Sequence, residues 1–178
     1  FIGGGYFEPI LPLIPDADKQ AQIRLLSQYL GTMFHVQPDG FWLAERVWEP
    51  QLPKVLAYCG MSYALIDDYH VRTAGYSEQE TFQAYYTEEQ GNRIAIFPIN
   101  ETLRYLMLWE PQEKSIEYLR RAANPTGDRI VVYITDAEKY GEWSEPEMAE
   151  QWLHKFLNMV EETAWIKSVH LSQYLQKQ

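Results

Sequence analysis

The chain has 178 residues, 46% of them hydrophobic and 15% aromatic, which suits one folded domain with a sizeable core and excludes a disordered segment. A formal net charge of −10 without a basic stripe argues against nucleic acid and anionic membranes as partners. Cys59 stands alone, so no disulfide framework or cysteine metal cluster is expected. No signal peptide and no apolar run of membrane-spanning length are visible, and a cytoplasmic setting is the expectation.

Phe1 to Tyr6 reads as a strand tail entering a turn of three glycines, with Glu8 on the loop beyond it. The glycine spacing matches neither GxGxxG nor GxxxxGK[ST], so a phosphate loop is not expected. Asp16 or Asp18 can cap a helix carrying Ile23, Leu26 and Leu30 inward, with Gly31 closing it. Phe41 to Pro50 (FWLAERVWEP) reads as a strand apolar on both faces, the pattern of a buried parallel strand, with Glu45 and Arg46 near its end. Charge in such a place needs a partner, and Glu45 or Glu49 is the neighbour available to Arg46 in the sequence.

Pro50 and Pro53 open a short helix that Gly60 stops. Ser62 to His70 is a second apolar strand with acids at its end, and 75–86 reads as a loop with one helical turn. Ile94 to Pro98 is a third buried strand, followed by helices over 103–108 and 115–123. The run from Arg129 to Thr135 is the most β-prone of all, and a long amphipathic helix spans about Pro146 to Glu162. Val169 to Leu175 ends the chain, which begins at Phe1 without Met and is expected to be a piece of a longer protein.

The alternation of apolar strands and helices predicts an α/β fold with parallel strands. Carboxylates recur just past successive strands: Glu8, Glu45, Asp67 with Asp68, and Asp136 with Glu138. The C-terminal strand ends are the functional edge of parallel α/β proteins. Two carboxylates flanking an acetal can cleave or transfer a glycosyl group, one ionised as nucleophile and one protonated as acid. Trp42, Trp48, Tyr6 and Tyr140 offer faces for sugars. The alternatives are ion pairing or a divalent cation held by Asp67, Asp68 and His70, whose D-D-x-H spacing matches no specific metal motif. Neither a GxSxG elbow nor a Cys/His nucleophile pattern is present.

GGGYFEP (Gly3 to Pro9), WLAERVWEP (Trp42 to Pro50), LIDDYH (Leu65 to His70), FPINETLRYL (Phe97 to Leu106) and TDAEKYG (Thr135 to Gly141) together resemble glycoside hydrolase family 57. The similarity is nearest to its 4-α-glucanotransferase and α-amylase branch. It implies one partial catalytic domain over 1–178, part of a (β/α)7 barrel lacking its first strand, in which parallel β-strands alternate with helices. It also implies a retaining reaction on α-linked glucans, with an oligosaccharide as partner and no cofactor or metal. Glu45 matches the family's nucleophile and Asp136 its acid/base. Glu8, Trp42, Asp68 and His70 match positions expected to bind the substrate. An α-galactosidase of the same family and a non-catalytic glycan-binding domain are the competing expectations.

Overall fold

A computed structural model of the chain describes residues 1–177. They form two compact units, one of Phe1–Ala74 with Ala84–Pro98, the other of Gly75–Gln83 with the chain from Ile99 on. Each is built around its own apolar cluster.

In the first unit, helix α1 (Asp16–Phe34) begins after Pro15, and Asp16 and Asp18 lie in its first turn, where the helix dipole favours anions. No side chain caps it, and Gly31 lies inside it; His35 ends it in the left-handed region at φ 56°. The expected strand over Phe41 to Pro50 is corrected. Strand β1 is only Gly40–Trp42, and a 3₁₀ turn, Ala44–Arg46, takes over directly. The apolar alternation persists past Trp42, but Glu45 and Arg46 adopt φ values of 54° and 56°, which no strand contains.

Helix α2 (Leu52–Tyr58) buries Leu52, Val55 and Leu56 and leads through Gly60 into β2 (Tyr63–Asp67). Strand β2 stops at Asp67, and Asp68 to His70, read as strand, open helix α3 (Asp68–Thr73). Strands β1 and β2 pair in parallel, Trp42 opposite Leu65, and Gly3 bridges Phe41 in parallel on the other side of β1.

Sequence reasoning missed β3 (Tyr85–Glu89), which pairs antiparallel with β4 (Asn92–Ile99) in a sheet of order β1-β2-β4-β3. Its side chains are Tyr, Thr and Glu with one face wet, so it lacks the apolar signature of a buried strand. Gln90 and Gly91, both at positive φ, make the tight connection. The core holds Ile23, Phe41, Leu43, Leu52, Leu56, Ile66 and Ile94, all nearly inaccessible.

In the second unit, Asn100 caps helix α4 (Glu101–Leu106) by accepting from the Leu103 N–H at 2.7 Å. Helix α5 (Gln112–Ala122) packs on α6 (Pro146–Glu162), and α7 (Leu171–Leu175) follows. The run 129–135 forms no strand. It makes one parallel bridge, Val132 with Ile99, and donates from the Ile130 N–H to the Phe82 carbonyl at 3.0 Å. High β-propensity does not create a strand where no continuous ladder receives it.

Candidate active site

In the first unit Glu8, His35 and Gln90 are single residues at positive φ, and the Ala44–Arg46 turn holds two in succession. Two consecutive non-glycine residues in the left-handed region carry strain of about 1–2 kcal/mol each. The turn is closed locally by Arg46 N–H donating to the Leu43 carbonyl at 2.9 Å, and the Glu45 side chain is left exposed. Arg46 pairs with neither Glu45 nor Glu49 as expected. Its Nε lies 3.1 Å from Oδ2 of Asp67 at the end of β2, a half-buried ion contact that is not aligned as a hydrogen bond.

Beside this turn a cavity of about 390 Å³ is lined by Gly3, Gly4, Tyr6, Glu8, Trp42 and Ala44. Gly5 lines it as well. A Cβ on Gly5 would stand 2.7 Å from Cδ of Pro9 and one on Gly3 3.3 Å from the Pro38 ring, whereas one on Gly4 would make ordinary contact at 3.4 Å from the Trp42 carbonyl oxygen. The structure thus brings Glu8 and Trp42 to one cavity, next in the chain to Glu45.

Asp68 and His70 are placed differently. Asp68 is buried and its Oδ1 lies 3.5 Å from Arg72 Nη2. The Nε2 of His70 lies 3.2 Å from the Arg46 carbonyl oxygen, and the ring donates there because a carbonyl can only accept. Asp67, Asp68 and His70 therefore each face a protein partner. Among the described residues, no group of three or more His, Cys, Asp or Glu side chains could hold a metal ion. No helix among them is long and apolar enough to cross a membrane.

In the second unit, Asp136 is exposed and immediately precedes a 3₁₀ turn, Ala137–Tyr140, where its carbonyl accepts from the Lys139 N–H at 3.3 Å. Sequence reasoning passed over the residues that hold this turn. Lys139 is buried, donates from Nζ to the Arg104 carbonyl, and lies 5.6 Å from the centre of the Trp109 ring. Burial, and then the Arg104 guanidinium, lower its pKa. The hydroxyls of Tyr133 and Tyr140 are 2.6 Å apart, and burial raises the pKa of both. The signal for this cluster was a lysine directly after Asp-Ala-Glu, a charge that only tertiary packing shows to be inside.

Comparison with known proteins decides the identity. The profile of glycosyl hydrolase family 57 matches residues 1–178, the whole chain. The chain belongs to family 57. Alpha-amylase 1 of Dictyoglomus thermophilum is 40% identical over 99% of this chain, and the 4-alpha-glucanotransferase of Thermococcus litoralis is 39% identical over 97%. The crystal structure of the latter superposes with a TM-score of 0.93 at 37% identity, covering 99% of this chain and 28% of its own. The chain spans 26% and 27% of the lengths of those two family 57 relatives. The expectation of an α/β fold built as part of a family 57 (β/α)7 barrel is met.

Proposed function

We propose that the chain carries catalytic residues of a retaining enzyme acting on α-linked glucans, of the 4-α-glucanotransferase or α-amylase type. Glu45 is the nucleophile and Asp136 the acid/base. The Glu45 carboxylate attacks the anomeric carbon as the glycosidic C–O bond breaks, and Asp136 gives its proton to the departing oxygen. Asp136 then takes a proton from water, or from the hydroxyl of an acceptor glucan. That oxygen attacks the anomeric carbon, the ester to Glu45 breaks, and the carboxylate is restored. Water gives hydrolysis and a glucan gives transfer. Glu8 and Trp42 bind the sugar, the ring of Trp42 packing on its apolar face.

The observation that carries this reading is the exposed Glu45 carboxylate, held on a left-handed turn at the end of β1 beside the Glu8–Trp42 cavity. Backbone strain of this kind persists where a site needs it. The names of the relatives support the substrate class.

The test uses the full-length protein on maltoheptaose. Glu45→Gln is expected to lower kcat at least about 10³-fold while the protein stays folded. Azide added to Glu45→Ala should give a β-glycosyl azide from maltoheptaose, and azide added to Asp136→Ala an α-glycosyl azide from an aryl α-maltoside, whose phenolate leaves without a proton, because each variant leaves the opposite face of the anomeric carbon open. Ordinary turnover by Glu45→Gln removes it from the mechanism, and binding without any turnover by the parent points to a glycan-binding domain. Longer products indicate transfer; glucose and maltose indicate hydrolysis.

A further inference from the structure

The Glu45–Arg46 turn needs something to hold it, and its own hydrogen bonds are few. Within it, Arg46 N–H to the Leu43 carbonyl is 2.9 Å, while Val47 N–H to the Ala44 carbonyl is a long 3.5 Å. The support comes from the next strand. Because β1 and β2 run parallel with Trp42 opposite Leu65, the chain leaving β2 passes the chain leaving β1. Asp67 and His70 then reach Arg46 from two directions. Asp67 approaches the guanidinium at 3.1 Å, and His70 donates to the main-chain carbonyl at 3.2 Å.

We propose that His70 and Asp67 are positioning residues that clamp Arg46 by its carbonyl and its guanidinium, and so set the direction in which Glu45 points. The proposal rests on the reading of Glu45 as nucleophile. A carbonyl in a left-handed turn swings when φ or ψ of its residue relaxes, and the preceding side chain moves with it. Tethering that carbonyl and the side chain of the same residue removes both motions. On this reading His70 acts through Arg46, the proton on its Nε2 being given to the main-chain carbonyl.

His70→Phe in the full-length protein keeps the ring volume and removes the donor, while His70→Gln restores an amide N–H of similar reach. On maltoheptaose, His70→Phe is expected to lower kcat on the order of 10²-fold, the effect of a misplaced reacting group, with KM within about twofold of the parent. His70→Gln should recover most of that loss. A rise in KM at parental kcat would show direct sugar contact and overturn the proposal, as would parental kinetics in His70→Phe or a His70→Gln variant no better than it. If His70→Phe does not fold, His70→Asn replaces it, because its amide is one methylene shorter; equal activity of the Asn and Gln variants then overturns the clamp. Glu45→Gln is measured alongside. If it is inactive while His70→Phe is unaffected, only the clamp fails; if it turns over normally, the nucleophile assignment fails and the clamp with it.

Discussion

The Nε of Arg46 lies 3.1 Å from Oδ2 of Asp67, joining the turn after β1 to the end of β2 through two side chains that are 22% and 28% exposed. Removing one partner of such a pair leaves the other charge partly desolvated and uncompensated. Asp67→Ala should lower the unfolding free energy by about 1–3 kcal/mol, less than for a fully buried pair because solvent screens both groups. Asp67→Asn, which keeps an acceptor, should lose less. Urea denaturation of the two variants in the full-length protein measures this ordering, and equal stability of parent and Asp67→Ala would show that the contact contributes nothing.

Gly40 is required by a close approach between strands. A Cβ built there would stand 2.2 Å from Cζ of Tyr63, whose ring is buried and packs edge-on against Phe97 at 5.3 Å. Gly40→Ala should therefore destabilise the first unit by about 1–3 kcal/mol through overpacking, and the Tyr63 ring must tilt. Gly40→Ala combined with Tyr63→Ala should recover part of the loss relative to the two single changes added together. A double-mutant cycle without coupling would refute the account.

Trp152 anchors α6 on the second unit. It is buried, stacks on Phe156 at 5.3 Å, and donates from Nε1 to the Glu110 carbonyl at 2.7 Å. Trp152→Ala should cost about 3–5 kcal/mol, the range for deleting a large buried aromatic. Trp152→Phe keeps most of the apolar volume but strands the carbonyl, for a loss of about 1–3 kcal/mol. Thermal unfolding should rank parent, Phe and Ala in that order.

The Tyr133–Tyr140 pair predicts a pH dependence. Both phenols have raised pKa values in the folded state, burial being the main cause, so the folded protein holds these protons longer than the unfolded chain does. Their contribution is fully present below the ordinary value of 10.0 and is lost as pH rises through the folded values. Lys139 acts with the opposite sign, its lowered pKa penalising the fold until the ammonium discharges. Comparing Tyr133→Phe with the parent isolates the phenol. The variant should be about 1 kcal/mol less stable at pH 7 from the lost hydroxyl pair, and its stability should fall less steeply above pH ~10. Parallel stability curves would contradict this.

Read alone, the sequence determined the family and most of the helices. The ordered segments from GGGYFEP to TDAEKYG point to one family, and a profile of that family matches the whole chain. Helix α6 runs from Pro146 to Glu162 as its periodicity predicts, because a helix is closed by bonds four residues apart and its signals lie inside it.

Only the tertiary structure decided what depends on distant partners. Tyr85–Glu89 is a strand because β4 pairs with it, while the more β-prone run at 129–135 finds only one bridge. Arg46 turns to Asp67 instead of its sequence neighbours, and His70 holds the Arg46 carbonyl, because parallel pairing sets the ends of β1 and β2 side by side. Local composition records which residues are charged; the crossing of strands selects which charges meet.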